Sequence, residues 1–229
     1  MARAKEGGRR VLLAGASGLV GRELTALLLQ TPATVALHLL LRRPDPGLPR
    51  DPRLVVHAGV DFAALPDLPA LDDAYIALGT TIKVAGSQAA FRAVDFDAVV
   101  NTARAAQAAG AERIAIVSAL GADAGSGIFY NRVKGEMQTA VAALGIRCVI
   151  FAQPSLLVGD RAALGQPTRS GEVWATRLLG PLMGLVPASV RPIEAHTVAR
   201  ALVRAMAEAQ PGVHVLSSAR LQQLGAAAH

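Results

Sequence analysis

The chain has 229 residues, 52% of them apolar, which is enough for one well-buried α/β domain and short for two. Its formal charge of +6 and pI near 10.4 come mainly from arginines spread along the whole length, and aromatics make up only 3%. The clustered cations and stacking rings of a nucleic-acid binder are therefore missing, and the charge suits phosphorylated small molecules better.

Cys148 is the only cysteine, so an intramolecular disulfide and a thiolate metal cluster are excluded. It lies in the apolar run Arg147-Cys148-Val149-Ile150-Phe151 and reads as a small buried hydrophobe in a reducing, cytoplasmic protein. No run of about 18 residues is free of charged and turn residues, so no membrane span is expected. The stretch 173–190 comes nearest, and Arg177, Gly180, Pro181, Gly184 and Pro187 interrupt it. Residues 1–9 are basic, lack the apolar centre of a secretion signal, and read as a frayed tail.

In chain order, residues 10–14 read as a buried strand. A helix over 18–30 places Val20, Leu24, Leu27 and Leu28 on one stripe. Strand 34–41 precedes a loop rich in Pro and Arg over 42–52. Strands 54–57 and 74–78 follow, then a helix over 94–109 ending at Gly110. Residues 113–118 form a strand, 129–144 a helix stopped by Gly145, and 147–152 a strand stopped near Pro154. Beyond Pro154 the rhythm loosens. Helices are expected around 172–183 and 196–209, a late strand at 213–216, and a last helical turn at 220–224. Strands alternating with helical crossovers predict an α/β, Rossmann-type, doubly wound parallel sheet. The whole chain forms one domain, with residues 159–229 as a small C-terminal substrate-pocket region.

Gly15-Ala16-Ser17-Gly18-Leu19-Val20-Gly21 falls between the first strand and the first helix. Three glycines at this spacing allow a tight turn, close backbone approach to a pyrophosphate, and close packing of helix on sheet. The helix N–H groups then face the phosphates. At the end of the second strand, where a NAD-binding chain often has an acidic residue, stand Arg42 and Arg43. Guanidinium groups there suit a ribose 2′-phosphate, so NADP(H) is expected over NAD(H).

Tyr130 and Lys134 are four residues apart in a chain with only two tyrosines and three lysines. One helical turn puts both side chains on one face, and a phenol beside an ammonium is a proton donor or acceptor. Combined with Ser118 and the glycine turn, Tyr130-Asn131-Arg132-Val133-Lys134 resembles the short-chain dehydrogenase/reductase superfamily in its atypical or extended branch. Further stretches sharpen the resemblance: Leu78-Gly79-Thr80-Thr81-Ile82-Lys83, Ala85-Gly86-Ser87, Phe91-Arg92-Ala93-Val94-Asp95, Val117-Ser118-Ala119-Leu120-Gly121-Ala122-Asp123 and Pro154-Ser155-Leu156-Leu157-Val158-Gly159. They are similar to the Tat-interacting-protein-like NAD(P)-binding oxidoreductases and their bacterial homologues. The match is good over about 11–161 and loose beyond.

The resemblance implies Tyr130 as general acid or base, Lys134 on the nicotinamide ribose, and Ser118 on the substrate oxygen. It further implies Asp61 at the adenine amino group, Gly79, Thr80 and Thr81 along the adenosine ribose and phosphates, Pro154 beside the nicotinamide, and Asn101 as a structural or relay asparagine. Two departures stand out: Ala119 replaces a second serine, and Gln153 stands where an arginine commonly precedes Pro-Ser. No pair among His38, His57, His196, His214 and His229 has metal-ligand spacing, so no metal is expected. Trp174 and the segment 178–183 cover a pocket, meet a second copy in a homodimer, or pack in the core.

The reading is an NADPH-dependent oxidoreductase acting on a small carbonyl or alcohol, with no nucleic-acid or membrane partner. Two alternatives stand beside it. One is a sugar-nucleotide epimerase-like enzyme, against which the C-terminal third is short. The other is a non-catalytic NADPH-binding regulatory protein.

Overall fold

The computed structural model describes residues 8–159, 187 and 189–226. Seven strands form one sheet: β1 (Arg9–Ala14), β2 (Thr34–Leu41), β3 (Leu54–Ala58), β4 (Asp73–Ile76), β5 (Arg113–Val117), β6 (Cys148–Gln153) and β9 (Gly212–Ser217). Their order is β3-β2-β1-β4-β5-β6-β9, and every neighbouring pair is parallel. The chain leaves the centre in one direction through β2 and β3, then returns to wind the other way, which opens a crevice at the carboxyl ends of β1 and β4.

Alternation along the strands decides which helix covers which face. Val11, Leu13, Leu37, Leu39, Ala115 and Ile150 pack under α1 (Leu19–Gln30) and α6 (Ala195–Ala207), meeting Val20, Leu24 and Leu28 from α1 and Val198 and Leu202 from α6. Leu12, Ala14, Ile114, Ile116, Val149 and Phe151 face the other way, against Val99 and Ala103 of α4 (Val99–Ala108) and Met137 and Val141 of α5 (Phe129–Ala142). Leu, Val, Ile and Ala build nearly all of both layers, as the scarcity of aromatics requires.

At the amino ends of the strands, Asp73 of β4 is bracketed by two arginines. Arg113 of β5 donates to its two oxygens at 2.7 and 2.7 Å, and Arg9 of β1 pairs with it from the other side. Asp73 is buried, and this clamp ties three central strands together at the pole opposite the crevice. Beside it, burial, with the charge of Asp73 adding, pushes the Tyr75 phenol far above its ordinary range. Cys148 is a buried thiol, pushed up by burial, as expected of an inert hydrophobe.

Several expected elements differ in detail. The single helix expected over 94–109 is two pieces, a π-helical turn (Ala93–Ala98) and α4, and a further helix, α3 (Gln88–Arg92), runs into it from before the expected start. The wide turn brings Asp95 into the interior, where it is fully buried, while Phe91 and Val99 stay in the core. Such bulges recur at functional positions. Strand β4 ends at Ile76, not 78, because Ala77 and Leu78 turn outward into the crevice wall. A short helix α2 (Ile82–Ala85), capped by Thr81, follows that bend. A second, two-stranded parallel sheet joins β7 (Leu157–Val158) to β8 (Ile193–Glu194). Two residues are too few to show a period. The last helix, α7 (Ser218–Gly225), is longer than the expected turn and starts on a Ser217 side-chain cap. The helix expected over 172–183, with Trp174, lies outside the described residues. No helix among the described residues is long and apolar enough to cross a membrane.

Candidate active site

The turn between β1 and α1 is built for close approach. Gly15 has φ +91°, and a Cβ there would lie 2.5 Å from the Ala77 carbonyl oxygen; a Cβ on Gly21 would lie 2.0 Å from the Gly15 carbonyl oxygen. No side chain fits at either place, so helix and strand meet backbone to backbone. Gly18 caps α1, with its N–H on the Gly15 carbonyl at 3.0 Å. The first N–H groups of α1 have no partner inside the helix and are free for an anion.

In front of this turn lies a cavity of about 1040 Å³. Gly15, Ser17 and Gly18 line it at one side, Arg42 and Arg43 at the end of β2, Asp61 beyond β3, and Leu78 and Gly79 beyond β4. Its size and its mixture of glycine backbone, guanidinium and carboxylate groups fit a dinucleotide. The donor set also has a negative end. The Asp61 carboxylate accepts the Ala63 N–H at 2.9 Å, which shapes its own turn and leaves the group on the cavity wall. Ala16, Val20 and Gly21 are buried instead: Ala16 and Val20 pack in the core beneath the turn.

Arg22, one residue past the turn, also lines the cavity and pairs with Asp45 at 3.0 Å, fastening the loop after Arg42 and Arg43 onto α1. Asn101 touches the same wall, but its amide donates to the Phe62 carbonyl at 3.0 Å. It braces the loop after Asp61.

The position facing Lys134 belongs to Asp95. Lys134 Nζ lies 2.8 Å from Asp95 Oδ1, with side chains 3% and 1% exposed. Asp95 Oδ2 accepts the Thr80 N–H at 2.9 Å. Oδ1 makes no hydrogen bond of good angle, so its compensation is the Lys134 charge itself. The π-helical turn thus holds one carboxylate that joins the Gly79-Thr80 loop to α5. A Cβ on Gly79 would lie 3.3 Å from Asp95 and 3.8 Å from Lys134 Nζ, so the ion pair sits directly beneath the crevice wall. Asp95 closes the stretch Phe91-Arg92-Ala93-Val94-Asp95 and has no role assigned from the sequence. The signal was there: an acidic residue inside an apolar helical stretch.

Tyr130 sits on the first turn of α5, half-buried, its ring centroid 5.3 Å from that of buried Phe91. Tyr130, Lys134 and Gln138 form one stripe along the helix. Ser118, at the end of β5, meets the stripe at its far member: Gln138 donates to Ser118 Oγ at 2.6 Å, and Gln153 donates to Gln138 at 3.3 Å. Gln138 lies two turns, or about 12 Å of helix rise, beyond Tyr130. The structure therefore joins Tyr130 and Lys134 on one face but turns the Ser118 hydroxyl into the interior, buried against Gln138. Pro154 lies beside this group, its carbonyl accepting the Leu120 N–H at 2.9 Å. Among the described residues no cluster of three or more His, Cys, Asp and Glu could hold a metal.

Sheet order, crevice and helix placement define the class: a Rossmann-type α/β fold, shared with solved NAD-bound proteins. DesIV, a dTDP-glucose 4,6-dehydratase from Streptomyces venezuelae, solved with NAD and TYD bound, superposes with a TM-score of 0.69 at 16% identity, over 94% of this chain and 80% of that one. MoeE5 in complex with UDP-glucose and NAD does so with a TM-score of 0.68 at 18% identity, over 90% of this chain and 75% of the other. No protein-family model matches the chain.

The chain belongs to the FMP52 family. It is 31% identical over 225 residues to the protein fmp52, mitochondrial, of Aspergillus fumigatus, covering 94% of each chain. It is also 31% identical over 188 residues to the Emericella nidulans protein of the same name, covering 79% of this chain and 78% of that one. These names correct two expectations. The relatives are fungal rather than bacterial. They are called mitochondrial, which overturns the cytoplasmic setting read from Cys148. A single buried thiol shows only that it has no disulfide partner; it does not report a compartment.

Proposed function

We propose that the protein is an NADPH-dependent oxidoreductase that reduces a carbonyl or oxidises the corresponding alcohol, and that the Tat-interacting-protein-like grouping describes its chemistry. The observation that carries this is the shared wall. Lys134 lies beneath the Gly79 side of a dinucleotide-sized cavity, and Tyr130 stands one turn away on the same helix face. The bound cofactor would supply hydride to the carbonyl carbon. Tyr130 gives its phenolic proton to the carbonyl oxygen, the alcohol leaves, and the tyrosinate takes a proton back from solvent. Lys134, held by Asp95 beneath Gly79, borders the ribose side of the nucleotide. Ser118, held by Gln138, anchors α5 to β5 so that Tyr130 is aimed; the oxygen itself is met by Tyr130. Gly15, Ser17, Gly18 and Leu19 cradle the diphosphate with their backbone, Thr80 and Thr81 border the adenosine ribose, Asp61 meets the adenine, and Pro154 flanks the nicotinamide. Arg42 and Arg43 take the 2′-phosphate. A mitochondrial setting follows the relatives' names.

Calorimetry with both cofactors, followed by NADPH consumption over a carbonyl panel, tests this reading. NADPH should bind more tightly than NADH, and Tyr130→Phe should abolish turnover while leaving binding intact. Equal affinity for NADH would sink the cofactor preference.

A second reading is favoured by the way the polar groups of the site are engaged. Ser118 is engaged by Gln138, Ala119 is apolar, and Lys134 is neutralised by Asp95, so the protein could bind NADPH as a regulatory ligand. Tight NADPH binding with no turnover of any carbonyl would favour it. Interconversion of nucleotide sugars without net cofactor consumption would instead indicate epimerase chemistry.

A further inference from the structure

Ten large apolar side chains are exposed among the described residues, and they fall into two groups. Val35, Val55, Val56, Val213 and Val215 lie on the edge strands β3 and β9 or, for Val35, on β2 beside one of them. Strand propensity accounts for these, since β-branched residues suit a half-covered sheet edge. Ile82, Val84, Leu120, Ile128 and Val190 have no such reason: none is in a strand.

All five lie on segments at the carboxyl ends of the strands. Ile82 and Val84 are on α2, in the connection after β4. Leu120 follows β5, its N–H on the Pro154 carbonyl. Ile128 is the residue that caps α5, two before Tyr130. Val190 is in the turn before β8 that Ser155, just past β6, fastens through the Arg191 carbonyl. Phe91, on the helix next to α2, packs against both Tyr130 and Phe129 at 5.3 and 5.9 Å, which draws the α2–α3 connection and the start of α5 together. Ile128 and Val84 are 64% and 66% exposed, so nothing else in the described chain covers them. Apolar residues on neighbouring segments at this end of the sheet, beside the Tyr130 end of α5, can serve as a recognition surface. The cation between Ile82 and Val84, Lys83, is exposed, and on α5 a guanidinium nitrogen of Arg132 is taken up by the Ser126 carbonyl at 2.9 Å.

We propose that the rim formed by Ile82, Val84, Leu120, Ile128 and Val190 selects an apolar substrate, an aldehyde or ketone with a hydrocarbon tail, whose carbonyl reaches Tyr130 while its tail lies on the rim. This deepens the oxidoreductase reading and rests on it. The reaction is the one already balanced: hydride to carbonyl carbon, phenolic proton to oxygen, alcohol and oxidised cofactor as products.

The test is a straight-chain aldehyde series from butanal to decanal, with NADPH consumption read as kcat/KM, in wild type and in the exposed-site variants Val84→Ser and Ile128→Ser. NADPH affinity is measured by calorimetry in all three. Wild type should gain roughly two- to fourfold in kcat/KM per added methylene. Each variant should lose most of that gain on the longest aldehydes with its NADPH affinity unchanged. A flat or falling series, or a nucleotide sugar used better than any long aldehyde, overturns the apolar rim while leaving the reductase reading in place. NADPH bound without turnover of any aldehyde overturns both.

Discussion

Replacing Asp95 with Asn removes one charge from a buried pair and almost nothing else. The amide oxygen can still accept the Thr80 N–H, and the volume is unchanged. What remains is the Lys134 ammonium, 3% exposed, whose carboxylate at 2.8 Å is gone. Breaking a buried pair from one side costs about 3–5 kcal/mol, because the surviving charge is left without compensation. With an m-value of about 3 kcal/mol/M in urea, the unfolding midpoint should fall by about 1 M or more at unchanged m. Adding Lys134→Met to the same chain removes the stranded cation. The double variant should recover much of the loss, giving a coupling energy near the upper part of the 0.5–3 kcal/mol range for contacting residues. Urea unfolding followed by circular dichroism on the four proteins measures the whole cycle. If Asp95→Asn unfolds within about 0.5 kcal/mol of wild type, the range of an ordinary surface substitution, the ion pair beneath the crevice wall does not exist as described.

Gly21→Ala should push helix α1 off the glycine turn, since the new Cβ would lie 2.0 Å from the Gly15 carbonyl oxygen; a stability loss of about 1–3 kcal/mol with no measurable NADPH binding is expected, and retained binding on calorimetry would contradict the cradle. Arg42→Ala and Arg43→Ala should each weaken NADPH by about 1.5–3 kcal/mol, or roughly tenfold and more, with NADH unchanged; a matched loss for both cofactors would place the arginines elsewhere. His38 of β2, whose Nδ1 lies 3.1 Å from His57 Nε2, has its basicity lowered by burial and then by the charges of His57 and Arg10. Its folded pKa lies below the unfolded 6.5, so the unfolded chain binds the extra proton first. Stability should be full above about pH 6.5 and decline as pH falls towards the lowered folded value. Melting temperatures of wild type and His38→Gln across this window check it, and equal slopes in the two proteins would remove His38 from the account.

The two-sided burial of the central strands is written plainly in runs such as Val11-Leu12-Leu13-Ala14, and the glycine turn falls where strand gives way to helix. Sheet, crossovers and nucleotide crevice were therefore legible. Geometry across elements was not. Ser118 follows Val117 at the end of β5, and alternation gives its face but not which residue of the covering helix it meets there. The continuation of the Ile114 and Ile116 face carries it to Gln138, two turns past the tyrosine. Asn101 and Asp95 are both polar residues in one helical stretch. Only the π-helical turn, which adds a residue to the winding, decides that Asp95 comes inward and Asn101 faces Phe62. His38 and His57 lack any ligand-like spacing in sequence, yet adjacent parallel strands set their rings 5.4 Å apart.

The arginine bracket around Asp73 has a consequence for the nascent protein. Its partners are separated by 64 residues on one side and 40 on the other. During synthesis, the first strand leaves the ribosome long before β4, and longer still before Arg113 arrives to complete the bracket. Until then a run of bare leucine and valine must wait in the open, and long-range parallel pairing is slow to rescue it. Such an order of assembly favours shielding of the early strands until Arg113 has emerged.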